Sequence, residues 1–342
     1  AVARTASPWW TGRVNILLLH KSLDAADATA VRSLAGRAEE QDGTAPLSGQ
    51  TLLWLSAQAP VVHVLAHDGA GALVGYAQVD VGGDEPSAEL VVAPELRRRG
   101  IGTALLDAVA GVARDVPAAT GRHAAASTPG AFSVWAHGNL PEALEFATAR
   151  GLEPARELWV MSRDVEPAIG TVLPGGGAPV EPATEAEVEY PALPTGTRLR
   201  SFEVGRDEDA WLAVNARSFA THPEQGRLTR ADLQARLEEP WFRAEDLLLL
   251  EDAGSGALAG FVWVKVVDET GGELYVVGVD PDSQGRGYGH LLTAVGLAHV
   301  AARGLPRAFL YVDADNVPAV ATYLRAGFET TARSVRMRST RT

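Results

Sequence analysis

The sequence predicts an α+β fold that occurs twice, each time as a mixed, α/β-type sheet with helices on both faces. Its 342 residues are long enough for two domains. Hydrophobic residues make up 46% of the chain, which is enough for a packed core in each domain. Residues 165–197 are so rich in proline and glycine that no regular element is expected there. This segment is therefore predicted to be a linker between two folded halves.

The two halves repeat each other around a glycine loop. A Pro-x5-Gly-x-Gly pattern begins at Pro94 and recurs 187 residues later at Pro281. In each half a β-branched run precedes the loop, and a segment with helical apolar spacing follows it. The predicted organisation is an N-terminal extension (1–12), a first domain (13–164), the linker and a second domain (198–342).

Composition excludes several classes of protein. The net charge of −13 argues against a nucleic-acid or membrane partner, and the absence of cysteine excludes disulfides and thiolate chemistry. The eight histidines form no metal-binding pattern, so no metal is expected. No apolar stretch reaches the length of a membrane span. We expect a cytoplasmic, monomeric enzyme that acts on a small molecule.

Each glycine loop is predicted to bind an anion. Glycines let the backbone approach a ligand, and the N–H groups at the start of the following helix attract negative charge, such as that of a pyrophosphate. Arg97, Arg98, Arg99 and Arg286 add local positive charge to an acidic protein. The spacing does not fit a dinucleotide-binding fingerprint, and the Gly-Lys-Ser/Thr of a Walker loop is absent.

Both halves resemble domains of the GNAT acetyltransferase family, whose signature is Q/R-x-x-G-x-G/A after a bulged strand. The signature begins at Arg97 and again at Gln284, and the resemblance covers about 150 residues on each side of the linker. It implies two tandem GNAT acyltransferase domains that bind acetyl-CoA without a metal. The implied acetyl-CoA-binding residues are Leu90, Val91, Val92, Arg98, Arg99, Gly100, Ile101, Gly102, Thr103, Val277, Gly278, Val279, Gln284, Gly285, Arg286, Gly287, Tyr288, Gly289, His290, Asn316, Val317, Pro318, Ala319, Val320 and Ala321.

Four further stretches are similar to an actinobacterial tandem branch of the GNAT family. They begin at Trp135, His222, Tyr275 and Leu310. This resemblance implies that the acceptor is the cysteinyl amine of 1-D-myo-inosityl 2-(L-cysteinylamino)-2-deoxy-α-D-glucopyranoside, or cysteinyl-glucosaminyl-inositol. It also implies that the acceptor is contacted by Glu224, Lys265, Glu273 and Tyr311.

The second half is the predicted catalyst. Acyl transfer to an amine needs a base and a proton donor for the leaving thiolate. By resemblance these are Glu273 and Tyr323. Counting back by the repeat spacings places Pro86 and Phe146 at the matching positions of the first half, so the first half lacks both groups. We expect the first domain to bind acetyl-CoA without catalysing transfer.

One departure from the tandem branch leaves the acceptor open. Where that branch has a glutamate before a glutamine, this chain has Gly49-Gln50, and either Glu39 or Glu40 would have to compensate. Two alternatives therefore remain: a tandem GNAT enzyme that acetylates another small amine, or a non-catalytic sensor of acetyl-CoA.

Overall fold

The computed structural model describes residues 14–20, 22–83, 85–116, 130–166, 188–220 and 225–339, apart from the Val267 side chain. The chain divides into two compact units. Unit 1 comprises the residues up to 158 together with those from 332, and unit 2 comprises 159–331. The predicted extension (1–12) and residues 167–187 of the predicted linker lie outside the described residues.

Unit 1 is a mixed sheet with helices on both faces. Its elements are β1 (Asn15–Leu19), α1 (Ala25–Asp42), α2 (Gly49–Leu53), β2 (Val61–His67), β3 (Leu73–Asp80), β4 (Ser87–Val92), α3 (Ile101–Asp115), β5 (Ser133–His137) and α4 (Pro141–Ala149), with part of β12 (Glu329–Ser339). The strand order is β1-β2-β3-β4-β5-β12. The β4–β5 pair is parallel, and the other pairs with a printed register are antiparallel.

Unit 2 repeats this architecture. Its elements are part of β6 (Leu152–Asp164), β7 (Thr197–Ser201), α5 (Glu208–Ser218), α6 (Arg230–Leu237), β8 (Leu247–Asp252), β9 (Leu258–Asp268), β10 (Gly271–Val279), α7 (Tyr288–Ala302), β11 (Arg307–Asp313) and α8 (Val317–Arg325). The strand order is β6-β11-β10-β9-β8-β7, with β10 and β11 parallel. The predicted α+β class is confirmed in both units.

The two-residue period of the strands places a core on each face of a sheet. In β9, Phe261 and Trp263 join the cluster that contains Trp211 of α5. Val262 and Val264 join the cluster that contains Leu292 of α7. Because alternate side chains point to opposite faces, one strand supplies both cores. Lys265 follows the same alternation and lies on the α5 face.

The structure divides the chain differently from the boundaries expected from sequence. Residues 334–338 of β12 pair with β5 in unit 1, although the expected second domain runs to residue 342. Similarly, residues 159–164 of β6 belong to unit 2, although the expected first domain includes them. Strand-forming residues do not encode which sheet edge they join, and this is the physical reason for the difference.

The internal repeat is confirmed in backbone detail. Both glycine loops contain a 3-10 turn, Pro94–Leu96 or Pro281–Ser283, and both lead into a 15-residue helix. Each helix begins after a left-handed glycine, Gly100 with φ 85° or Gly287 with φ 80°. Asn316 also caps α8, where its side chain accepts a hydrogen bond from the Ala319 N–H, and Pro318 lies in the first turn.

Two glycine substitutions compare a tightly packed position near the start of β9 in unit 2 with an open position in α1 of unit 1. A Cβ on Gly260 would lie 2.7 Å from the Gly278 oxygen and 2.8 Å from Leu292 Cδ1. We predict that Gly260→Ala destabilises the protein by about 1–3 kcal/mol, because backbone has to shift. Gly36→Ala, in the middle of α1 with open space beside it, should instead stabilise by about 0.5–1 kcal/mol. Chemical denaturation of both variants measures the difference, and equal effects would contradict it.

Candidate active site

The candidate site lies where two parallel strands of unit 2 separate. The printed ladder between β10 and β11 pairs only Gly272 with Ala308 and Glu273 with Phe309. In the part of the chain that the structure describes, residues 276–279 of β10 have no ladder partner on β11. The carboxyl half of β10 thus presents backbone groups to a cleft, and such groups need hydrogen-bond partners.

A bulge changes the course of β10 within this cleft. The register against β9 shifts between Leu274 and Val276, which leaves Tyr275 as the extra residue. Bulges re-aim side chains and backbone groups, and they are frequent beside active sites. Gly278 follows the bulge, and a Cβ there would lie 2.7 Å from the Phe261 ring. Packing against Phe261 therefore requires a glycine at that position.

The glycine loop after β10 has the geometry of an anion site. Gly285 and Gly287 both have positive φ, at 76° and 80°. Cβ atoms built on these two residues or on Gly289 meet nothing within 4 Å, so the loop faces open space. The side chain of Gln284 donates to the Val279 oxygen at 3.3 Å, which ties the loop to the end of the strand. The start of α7 is thus exposed to a phosphate-bearing ligand.

The predicted acetyl-CoA residues of unit 2 lie in three segments of the fold. They occupy the end of β10 (277–279), the loop and first turn of α7 (284–290) and the first turns of α8 (316–321). The backbone donors and the open glycine loop fit acetyl-CoA. That these residues contact acetyl-CoA stays a prediction.

Glu273 is the carboxylate at the mouth of the cleft. It pairs in register with Lys265 of β9 on one side and with Phe309 of β11 on the other. Burial raises the pKa of the Glu273 carboxyl to about 7, and the positive charge of Lys265 opposes this increase. A carboxylate with this pKa can accept a proton from an amine near neutral pH.

Tyr311 lies near Glu273. It follows Phe309 by two residues on β11 and therefore shares its face of the sheet. Its side chain is 53% exposed, so a ligand can reach it. Partial loss of hydration, and secondly the negative charge of Glu273, raise the pKa of the Tyr311 hydroxyl.

Tyr323 lies on α8, with its ring centroid 5.9 Å from that of Phe328. Burial raises the pKa of its hydroxyl to about 12. The hydroxyl is therefore protonated at neutral pH and can donate a proton or a hydrogen bond. Lys265 lies on the α5 face of β9, whereas Glu224 and His222 lie outside the described residues.

The comparisons with known proteins agree with this geometry. The model of the acetyltransferase (GNAT) family matches residues 213–328, and an acetyltransferase (GNAT) domain model matches residues 59–133. A protein named mycothiol acetyltransferase from Cellulomonas flavigena is 50% identical, with 92% of this chain and 86% of the relative covered. The chain belongs to the mycothiol acetyltransferase family. A second member, from Catenulispora acidiphila, is 44% identical, with 89% of this chain and 92% of the relative covered.

Solved structures show the same fold. An N-acetyltransferase from Sphaerobacter thermophilus has a TM-score of 0.70 at 23% identity, with 95% of both chains covered. A tandem GNAT protein from the clavulanic acid biosynthesis pathway has a TM-score of 0.66 at 19% identity, with 95% of this chain and 98% of that chain covered. This chain is an acetyltransferase with two GNAT domains.

The corresponding cleft in unit 1 has a different interior. The β4–β5 ladder also pairs only two residues, but the β3–β4 register contains no shift. Counting through the registers places Ser87, opposite Asp80, where Glu273 stands opposite Lys265. The bulge accounts for the one-residue difference from Pro86, the position obtained by counting along the sequence. Neither residue can act as a base.

Unit 1 holds a buried carboxylate that is already engaged. Glu89 accepts a 2.7 Å hydrogen bond from the Ser48 N–H, and His137 Nε2 lies 3.2 Å from its other oxygen. Although burial opposes ionisation, these interactions with His137 and Ser48 lower the pKa of Glu89. Ser48 caps α2, and the Gln78 side chain donates to the Thr51 oxygen of that helix. These contacts fix α2 beside the end of the β4–β5 ladder.

The residues around Gly49 have a structural explanation. Gly49 is the first residue of α2, and its neighbour Ser48 provides the cap. Glu39 and Glu40, the suggested replacements for a family glutamate, are exposed near the end of α1.

The glycine loop of unit 1 is less open than that of unit 2. A Cβ built on Gly100 meets nothing within 4 Å, but a Cβ built on Gly102 would lie 3.4 Å from the ring of Phe146.

Sequence reasoning missed two groups of residues. One is the pair Glu89 and His137 in unit 1. The other is the pair of rings from Trp241 and Tyr275, which lie 4.8 Å and 5.3 Å from the Lys265 ammonium in unit 2. The sequence does single out Lys265 itself, since Lys265 and Lys21 are the only lysines in the chain. Nothing in the pattern of a single sequence marks the partners.

Neither a metal-binding cluster nor a membrane-spanning helix occurs in the described part of the chain. Among those residues no group of three or more His, Asp or Glu side chains is arranged to hold a metal ion. None of the described helices is long and apolar enough to cross a membrane.

The burial of Glu273 predicts a pH-dependent stability. Its folded pKa of about 7 lies above the ordinary glutamate value of 4.5, so the protonated form favours folding. The stabilisation is fully present below pH 4.5 and is lost as the pH rises to about 7. We predict that wild-type protein loses up to about 3 kcal/mol relative to Glu273→Gln over this range. Urea unfolding of both proteins at several pH values measures the difference; a constant difference would contradict the elevated pKa.

Proposed function

We propose that unit 2 transfers the acetyl group of acetyl-CoA to the cysteinyl amine of 1-D-myo-inosityl 2-(L-cysteinylamino)-2-deoxy-α-D-glucopyranoside. The observation that carries this proposal is a carboxyl of raised pKa, free of any ion pair among the described residues, at the point where β10 and β11 separate. The relatives named mycothiol acetyltransferase support the choice of acceptor. The net charge of −13 is compatible with a cytoplasmic monomer that has no nucleic-acid or membrane partner.

Glu273 is the proposed general base. An α-amine has a pKa of about 7.7–8, so a large share of it is protonated at neutral pH. As the amine nitrogen bonds to the acetyl carbon, Glu273 takes its proton, directly or through a water. The elevated pKa keeps the carboxyl basic enough for this task. Lys265 and Tyr311 are proposed to contact the polar acceptor, as is Glu224.

Tyr323 is the proposed general acid. Acetyl-CoA supplies the thioester, and when its carbon–sulfur bond breaks the sulfur leaves as a thiolate. The Tyr323 hydroxyl donates a proton to that thiolate. Backbone N–H groups beside the bulge in β10 are suited to stabilise the negative charge on the carbonyl oxygen. The glycine loop before α7 is proposed to hold the phosphates through its N–H groups.

Unit 1 is proposed to bind acetyl-CoA without transferring its acetyl group. Its loop has the same backbone form, including positive φ at Arg98 and Gly100. Its buried carboxylate, Glu89, is held by His137 and Ser48 and is a poor base. Unit 1 thus keeps the glycine loop for acetyl-CoA, while its own groups, His137 and Ser48, engage the carboxylate that an acceptor amine would need.

We predict that Glu273→Gln lowers kcat by about 10²- to 10⁴-fold, because the base is lost while the shape is kept. Tyr323→Phe should lower kcat less, because a thiolate is a tolerable leaving group without a proton. Glu269→Gln is a matched control, since Glu269 is exposed in the turn after β9. Mass-spectrometric detection of the acetylated product measures all three. A wild-type rate for Glu273→Gln would remove it from the mechanism.

The same assay tests the acceptor. Cysteinyl-glucosaminyl-inositol should be acetylated in preference to glucosaminyl-inositol, spermidine and an aminoglycoside. Acetylation of another amine would preserve the enzyme class and replace the acceptor. Acetyl-CoA binding with no product from any amine would instead favour a sensor.

We predict two acetyl-CoA sites per chain. Gly100→Val and Gly287→Val each place a β-branched residue at a φ of 80° or more, which should disrupt one loop at a time. Calorimetric titration should give two sites for wild-type protein and one for each variant. Turnover should fall far more with Gly287→Val than with Gly100→Val. A single site in wild-type protein would contradict acetyl-CoA binding by unit 1.

A further inference from the structure

Lys265 and Glu273 are cross-strand neighbours of opposite charge, yet they are not joined. They face each other in the antiparallel register of β9 and β10. Side chains in such positions have Cβ atoms about 5 Å apart, and opposite charges there usually attract. Among the described residues, however, no ion pair or hydrogen bond joins the Lys265 ammonium to the Glu273 carboxylate, which is influenced only by the lysine's charge. Something else must hold the lysine.

Two aromatic rings hold it. The Lys265 Nζ lies 4.8 Å from the centroid of the Trp241 ring and 5.3 Å from that of Tyr275. Both distances fall within the range of cation–π attraction, and tryptophan is the strongest partner of this kind. We call Trp241 and Tyr275 the ring pair.

The ring pair is fixed by its surroundings. The two rings meet edge to face with centroids 5.5 Å apart, and each also contacts the fully buried Trp263. The Tyr275 hydroxyl accepts a 3.1 Å hydrogen bond from Arg236 Nε on α6. Tyr275 is the bulged residue of β10, so the bulge supplies one ring of the pair. A rigid aromatic surface can compete with a carboxylate for the ammonium because its position requires no further ordering.

We infer that Trp241 and Tyr275 are positioning residues that keep the Lys265 ammonium away from the Glu273 carboxylate, leaving that carboxylate free to accept the proton of the acceptor amine. This inference rests on the proposed role of Glu273 as the base. The task assigned to the two rings, holding a lysine away from the base, is separate from binding acetyl-CoA and from proton transfer.

The electrostatic setting shows why the distance matters. The charged and titratable groups that face Glu273 from the described elements are Lys265 of β9 and Tyr311 of β11, with Arg236 of α6 behind Tyr275. A direct ion pair commonly lowers a carboxyl pKa by about 1–3 units. Such a pair would offset the effect of burial on Glu273. When the ring pair holds it, Lys265 lowers the pKa of Glu273 only in part, and the carboxylate remains able to accept a proton.

The test replaces one ring and follows the protonation of Glu273. We expect Trp241→Leu to free Lys265, which then pairs with Glu273. In the plot of kcat against pH, the acidic limb that reports the ionisation of Glu273 should move from about pH 7 to lower pH by about one unit or more. At pH values above this limb, kcat should fall about tenfold. Trp241→Phe retains a ring face, so its limb should stay near that of wild-type protein. The amine of the acceptor titrates identically in every variant and is a common background.

The same substitution in Lys265→Met protein distinguishes an effect on the position of the lysine from a general packing defect. In Lys265→Met protein the limb should move to higher pH, and adding Trp241→Leu should then cause no downward shift. Loss of activity through poor packing would act equally with or without the lysine. An unmoved limb in Trp241→Leu, or an equal downward shift in the Lys265→Met background, would overturn the inference.

A third measurement keeps this inference distinct from the proposed function. The pH at which Glu273 affects stability is obtained by unfolding each protein with and without Glu273→Gln, and it requires no turnover. In the Trp241→Leu background this midpoint should also fall by about one unit. If Glu273→Gln retains full activity, the base assignment fails, whereas an unchanged midpoint in Trp241→Leu shows that the ring pair does not hold the lysine away.

Discussion

Parallel pairing between β10 and β11 stops after two residue pairs, and the chemistry proposed for unit 2 depends on that interruption. Backbone N–H and C=O groups beyond Glu273 lose the partners that a continuous ladder would give them. Buried groups of this kind must be satisfied by something else, and a ligand with amide and phosphate groups is a suitable partner. Glu273 is the last residue of β10 that pairs with β11, so the same interruption places it at the edge of the space that a ligand would fill.

Two glutamates show how surroundings assign different tasks to one residue type. Glu273 in unit 2 has little compensation for its burial, and the carboxyl has a raised pKa. Glu89 in unit 1 is also buried, but the Ser48 N–H and His137 stabilise its charge, and the pKa is lowered. A carboxylate stabilised in this way serves as a structural partner, whereas one that lacks such partners retains affinity for a proton. The duplicated fold thus has the same loop in both halves and different acid–base properties.

Local patterns predicted much of this protein correctly. The glycine loops and the helices that follow them are determined by neighbouring residues, and both were expected from the sequence. The bulge at Tyr275 was expected only from the family signature, and its position altered the correspondence between the halves from Pro86 to Ser87. The exchange of β6 and β12 was not expected, because a strand pattern does not specify its partner. The ring pair around Lys265 joins residues far apart in sequence, so no local pattern reveals it.

The division of β12 has a consequence for the order in which the protein forms. During synthesis, every residue of unit 2 leaves the ribosome before residues 332–339, which complete the sheet of unit 1. The N-terminal unit, although made first, must wait with an open edge at β5 until nearly the whole chain has emerged. Pairing across about 200 residues is slow, because a long loop has to close before the contact forms. The half proposed to carry out the chemistry is therefore able to finish folding first, and the older part of the nascent chain is the one exposed longest to misfolding and to chaperones.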